Sequence, residues 1–556
     1  MRDEHDSNVN RRNFLGMAGV TAGAGLATAI GASPGTAAAS SSTTTGVNPG
    51  REYARRQEGY RLRLASADRA YADPYPAQRP NGEQTIPGYV ASYHKGLPHN
   101  AYGEVSVAAY EQFIRAMSTG SQADYNAIPT GVQPNRGLLN PQVIHAFDLQ
   151  GPDSHSFAVP PAPRLDSAEF AGEMVEDYWM ALLRDVPFAQ YGGSAEVATA
   201  CDELSAMSGF TGPRQNGRIT PATLFRAYTP GDLRGPYISQ FLFKDVPYGP
   251  QYISQRLDTI EPREYMTDWN EWLAVQNGAP RSTERDFQNR RYIRTARDLG
   301  HFTHFDVTYT PYLNAALILF GSGLPAAQLL DPANPYLGSR NQAGYSTYGQ
   351  PHVLALLGEV DKIVRKGNLY QQWWVHRRLR PEMAAARVEI QLNRAPGRYD
   401  GLLSDELLNA PVLDRVRSRY GSYLLPQMYP EGSPMSPDYV SGHSAAAAAG
   451  VTILKAWFNE STPLPDPVVP NADGTALVPY TGSDAGQLTI GGELNKLAGN
   501  IGNGRNTASV HWRSSYVHAF PLGEAIAIRL LRDQKRLFNE RAPLSLTKFD
   551  GTTITI

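Results

Sequence analysis

The sequence predicts a mainly α protein, with one large helical domain interrupted by long loops. Apolar residues recur at helical spacing in one segment after another, and strand signals are few and short. No internal repeat and no convincing linker appear after residue 90. An apolar fraction of 41% and an aromatic fraction of 10% supply the core that such a domain needs.

The first 39 residues read as a targeting segment. Arg11-Arg12 precedes Phe14-Leu15 and a weakly apolar run from Gly16 to Ile30, and small residues follow at Ala37 to Ala39. This order describes a twin-arginine secretory signal cleaved near Ala39, so the chain is expected to be exported, to the medium or the cell wall. Residues 40–90 are polar, Arg-rich and punctuated by Pro and Gly, as in an extended or partly ordered arm. Residues 91–556 then form the single large domain.

Within that domain, Ala198 to Leu204 is an ordinary helical stretch around Cys201, the only cysteine of the chain, which excludes an intrachain disulfide and a Cys-based metal site. Glu173 to Val186 places apolar residues on adjoining helical faces. Tyr312 to Phe320 is apolar nearly all round, as in a buried helix. Val353 to Val364 and Leu369 to Leu379 read as helices, and Ala445 to Phe458 as a small-residue helix suited to close packing. Residues 127–137, 151–163 and 461–482 read as long loops, and Thr552 to Ile556 as a short strand. Nothing after the leader is long and apolar enough to span a membrane. A net charge of −2 gives no global argument for nucleic acid or a membrane surface, so any anion site is local.

Three patches supply such a site: Trp373 to Pro381, Tyr439 to Ser444 and Asn503 to Arg513. Ser441-Gly442-His443 precedes the small-residue helix, where unpaired N–H groups and the positive end of the dipole favour an anion. Gly442 allows close backbone approach, Ser441 offers a hydroxyl, and His443 can act as acid, base or donor. Arg380, before Pro381, suits bidentate contact with an oxyanion. Arg505 precedes His511 by six residues, and that imidazole can ligate a metal oxyanion or attack phosphorus. His376 reads as a packed helix residue. The spacing of His94, His99, His301 and His304 leaves a separate metal site conceivable.

In this order, R-P, S-G-H and G-R-x5-H resemble the vanadium-dependent haloperoxidases and the acid phosphatases that share their fold. Flanking segments resemble the large algal and actinobacterial haloperoxidases: Lys95 to Asn100, Gly103 to Val105, Tyr178 to Phe188, Asn314 to Ile318 and Gly491 to Ala498. The resemblance covers roughly residues 85–535. It implies two packed helical bundles and, by analogy with the algal type, a homodimer. It also implies vanadate bound to His511, its oxygens held by Arg380, Arg505, Ser441, Gly442 and the residue at 372, with His443 as acid/base. Hydrogen peroxide and chloride or bromide would be the co-substrates, and a terpenoid or aromatic metabolite the halogen acceptor.

Three positions depart from the family pattern. Gln372 stands where the family has lysine, eight residues before Arg380. Ser515 stands four residues after His511, where the family often has an aspartate that orients the ligand imidazole. Val440 replaces the usual proline before the serine. The first two motivate an alternative, a halide-independent isomerase or cyclase with phosphate in the anion site, trapped in the extreme as a phosphohistidine on His511. An acid phosphatase and a non-catalytic binding protein are further readings.

Overall fold

The computed structural model describes residues 49–556, so the leader and its cleavage site lie outside the described residues. The chain divides into a unit ending at Arg61 and a compact unit of residues 62–556. Helix α1 (Pro49–Ala72) begins in the first unit and ends in the second. It is a helix where composition suggested an extended arm. Pro49 suits its first turn, and the Arg, Glu, Ala, Leu and Gln residues that fill it are good helix formers.

The larger unit has the predicted two bundles. In the first, α2 (Ala168–Leu183) packs against helices Ala195–Ala206, Pro411–Tyr420 and Pro381–Glu389. Ser167 caps α2, its hydroxyl accepting from the Phe170 N–H at 3.1 Å. The second bundle is built from α3 (Ala296–Phe305), α4 (Thr310–Phe320), α5 (Gln350–Tyr370), α7 (Gly442–Trp457), α8 (Ile490–Thr507) and α9 (Ala519–Lys535). Pro381–Glu389 of the first bundle, labelled α6, lies between α5 and α7 in sequence.

Helix α7 is the axis of the second bundle and touches α4, α5, α8 and α9. Its run of alanines is what lets the neighbours approach. A Cβ added at Gly523 of α9 would lie 2.1 Å from the Ala445 carbonyl oxygen, so the two backbones are in direct contact.

The strands are short and pair only as two-stranded antiparallel ribbons: Val246–Tyr248 with Gln251–Ile253, Leu257–Thr259 with Asp286–Arg291, Val468–Pro470 with Leu477–Pro479, and Ser545–Thr547 with Thr553–Thr555. The third lies inside a segment expected to be loop, and the fourth contains the expected C-terminal strand. No helix among the described residues is long and apolar enough to cross a membrane.

One helix differs in a way that shapes the site. Leu369 to Leu379 is not a regular α-helix. After Tyr370 the chain widens into a π-turn at Gln371–His376, and Arg377 ends it in the left-handed region at φ 48°. Pro381 then disfavours helical geometry at Arg380, which is extended and opens α6. Arg378 and Arg380, which a continuous helix would have spread around its surface, instead turn inward and are buried.

Candidate anion site

Three segments meet between the bundles: the 377–380 turn, the loop leading into α7, and the chain after α8. Trp512 ties the first to the third by donating its indole N–H to the Leu379 carbonyl at 2.9 Å, and Arg378 lies over the same ring at 5.0 Å. The Ser441 N–H donates to the Ser515 carbonyl at 3.0 Å, which ties in the second.

His511 sits at the junction and is buried. Arg380 Nη1 lies 2.9 Å from its Nε2 and also donates to the Val510 carbonyl at 2.8 Å. Arg380 is fixed from behind by the carbonyl and hydroxyl of Ser436, at 2.8 and 3.0 Å. Burial, then the nearby Arg380 and Arg505 charges, push the His511 imidazole well below the usual histidine range, so the ring is neutral. Its Nδ1 is hydrogen-bonded to Asp438 and lies 3.3 Å from the Ser515 hydroxyl. Burial pushes the Asp438 carboxyl up to about 7, against the pull of Arg380 and Arg378.

Arg505, in the last turn of α8, donates one N–H to the Thr303 carbonyl at 3.1 Å. Its Nε is buried with no protein partner. Ser441 caps α7 by accepting from the Ser444 N–H at 3.4 Å, which leaves its own O–H free to donate. Gly442 opens the helix, where N–H groups have no partner inside it. Space there is tight: a Cβ would meet the side-chain ends of Asn368 at 3.0 Å and Arg365 at 3.3 Å. His443 is partly exposed and its Nε2 lies 3.0 Å from Asp306 Oδ1. Burial lowers its pKa, while Asp306 pulls the other way. With the Asp306 carboxylate accepting, the matching tautomer has its proton on Nε2 and leaves Nδ1 as an acceptor.

Arg380, Ser441, Gly442, His443, Arg505 and His511 are therefore brought together. Gln372 is near but does not join them. Its amide N–H groups are spent on the carbonyls of Asp438 and Val440, at 3.0 and 2.7 Å, so it braces the loop before α7 and offers an oxyanion no donor. The conceivable second metal site is also absent in that form. His94 and His99 bond each other at 2.7 Å beside Arg387, whereas His301 meets Asp258 and His304 meets Glu431. No metal-ligand cluster of three or more residues occurs among the described residues.

Sequence reasoning missed Asp306, Asp438 and Arg365. Arg365, on α5 one turn from Asp361 and 3.3 Å from its carboxylate, flanks Gly442 and adds a cation beside the cage. The helical spacing of Arg365, Asn368 and Gln372, which places them on one face of α5 and its continuation, was the available signal.

His376 is buried with both ring nitrogens unpartnered, and burial holds its pKa down to about 3. The unfolded chain takes up this proton below about pH 6.5 and the folded chain does not, so stability falls as the medium acidifies. Between pH 6.5 and 5 this single group costs about 2 kcal/mol. Urea midpoints at the two pH values are expected to show a shallower acid loss in His376→Phe by that amount; equal pH slopes contradict it.

The comparisons follow the same geometry. The family described as VCPO second helical-bundle domain matches residues 415–540, which carry α7 to α9. The vanadium-dependent bromoperoxidase of Corallina pilulifera is 34% identical, over 86% of this chain and 93% of its own. That of Ascophyllum nodosum is also 34% identical, over 86% of this chain and 87% of its own. The homohexameric structure of the second vanadate-dependent bromoperoxidase (AnII) from Ascophyllum nodosum superposes with a TM-score of 0.87 at 29% identity, covering 95% of this chain and 94% of that one. With the fold, the three motifs and this extent of identity in agreement, the chain belongs to the vanadium-dependent haloperoxidase family.

Proposed function

We propose that the chain is a vanadate-dependent haloperoxidase that uses hydrogen peroxide to oxidise bromide or chloride and delivers the halogen to an electron-rich organic carbon, as in an aromatic ring or a terpenoid alkene. The overall change balances as peroxide, halide and a proton giving hypohalous acid and water. The hypohalous acid then exchanges its halogen for a hydrogen of the acceptor, releasing a second water. The observations that carry the reading are Arg380 Nη1 2.9 Å from Nε2 of a neutral His511, the Arg505 charge acting on the same ring, and the Ser441 N–H bonded to the Ser515 carbonyl of the ligand's own segment.

This donor set fits vanadate. An orphaned, buried Arg505 Nε, a hydroxyl with a free proton and a helix-start N–H match oxygens that carry negative charge, and a neutral imidazole matches the metal. When bound, vanadate supplies Lewis acidity that makes peroxide electrophilic without a change in vanadium oxidation state. Arg380 and Arg505 would neutralise the charge on its oxygens, and Ser441 and Gly442 would hold them by hydrogen bonds. His443, held by Asp306, takes and returns protons at Nδ1. Arg365 stands beside Gly442 and attracts the incoming halide, in place of the charge that Gln372 lacks.

Orthovanadate added to the vanadate-free protein is expected to give saturable, bromide-dependent halogenation of an activated diketone. No halide-dependent product at saturating orthovanadate would sink the reading, and turnover of a phosphomonoester without peroxide would favour a phosphatase. His443→Ala is expected to lose about 100-fold to 10,000-fold in kcat while retaining orthovanadate affinity. A parallel loss of affinity would give His443 a binding role instead.

A further inference from the structure

The ligand imidazole of such a site must present one nitrogen to the oxyanion and have the other held. The aspartate that does the holding in the family pattern is missing here, since position 515 is serine. The structure supplies a carboxylate from elsewhere. Asp438, three residues before Ser441 and fully buried, has its Oδ1 hydrogen-bonded to His511 Nδ1. The same oxygen accepts from the Ser515 hydroxyl at 3.1 Å and lies 3.5 Å from Arg380 Nη1. The other carboxylate oxygen lies 4.0 Å from Arg378.

We infer that Asp438 is the positioning residue of the His511 imidazole, its carboxylate moved from the segment that carries the ligand to the loop that carries the Ser441 and Gly442 donors. Ser515 remains as the hydroxyl partner of that carboxylate. Both main departures from the family pattern then belong to one arrangement. Ser515 donates to Asp438, and Gln372 holds the loop by donating to the Asp438 and Val440 carbonyls. A carboxylate at Nδ1 draws the ring proton there and leaves Nε2 for the cage, with Arg380 Nη1 2.9 Å from Nε2 and 3.2 Å from Nδ1. Because one loop now carries the ring's anchor and two of the oxyanion donors, a shift of that loop moves ligand and donors together.

The inference rests on the vanadate reading for its consequence, not for its geometry. Nitrogen-15 NMR of the full chain, labelled at histidine and free of oxyanion, reads the tautomer directly. A proton on Nδ1 of His511 is expected, and one on Nε2 overturns the inference. Asp438→Ser is expected to weaken binding of orthovanadate, and of inorganic phosphate as a second probe, by about 10-fold to 100-fold. Adding Ser515→Asp, which returns the carboxylate to the ligand's own segment, is expected to restore most of that affinity. A folded Asp438→Ser chain with unchanged affinity for both anions, or a folded double variant with no recovery, overturns it. If the single variant does not fold, the wild-type tautomer still decides. A wild-type chain that binds phosphate but not orthovanadate defeats the haloperoxidase reading and leaves this one standing or falling on the tautomer.

Discussion

A His511→Ala chain is expected to fold, to bind no orthovanadate at concentrations that saturate the wild type, and to lose halogenation by more than about 100-fold. That figure is the upper end of what removing an outer partner of a ligand costs, and His511 is the proposed ligand itself. No other residue is expected to replace it. The arginines and the Gly442 N–H have no lone pair to offer a metal, the Ser441 oxygen already accepts from the Ser444 N–H, and the free nitrogen of His443 is the proposed proton carrier. The arginines remain, so weak phosphate binding is expected to survive. Isothermal titration with orthovanadate and with phosphate separates the two effects. Retained orthovanadate-dependent turnover in the variant would move the ligand elsewhere.

The largest expected effect on stability lies two residues further on. Arg513 is fully buried and forms a bidentate pair with Glu176 of α2, with Nε at 2.7 Å from Oε2 and Nη2 on the other oxygen. Its remaining N–H groups donate to the Arg226 carbonyl at 3.0 Å and the Tyr516 hydroxyl at 3.1 Å. The pair clamps the first bundle to the chain that carries His511. Arg513→Ala leaves the Glu176 carboxylate buried without its counter-charge, and a loss of about 3–5 kcal/mol is expected from urea unfolding. Replacing both residues by methionine removes the stranded charge, so the double variant is expected to be more stable than Arg513→Ala. A loss below about 1 kcal/mol in the single variant, the value of an exposed pair, contradicts the account.

The candidate cage was legible because its members lie in three compact motifs. Arg380, Ser441, Gly442, His443, Arg505 and His511 each have a residue type suited to an oxyanion, and the fold brings their segments to one junction. What sequence could not show was backbone shape and long-range supply. The apolar period through Leu369 to Leu379 reads as a continuous helix, and only the π-turn and the left-handed Arg377 turn Arg380 inward. Asp306 and Asp438 each reach a histidine more than seventy positions away, so no local spacing reveals them. Gln372 sits at the family's lysine position, yet an amide has carbonyls of its own loop within reach and is drawn to them. Strongly apolar segments such as Tyr312 to Phe320 were legible as helices because they leave little choice, whereas Ala296–Phe305, Pro381–Glu389, Pro411–Tyr420, Ile490–Thr507 and Ala519–Lys535 were not singled out. The helix at Pro49–Ala72 was missed because it lacks a wide apolar face and rests on propensity.

The central claim is that vanadate binds at His511 within this cage. A crystal structure of the full chain loaded with orthovanadate tests it most directly. The account predicts vanadium bonded to His511 Nε2, with its oxygens on Arg380, Arg505, the Ser441 hydroxyl and the Gly442 N–H, and with Asp438 on Nδ1. Vanadium bonded through Nδ1, or held outside these residues, would contradict it.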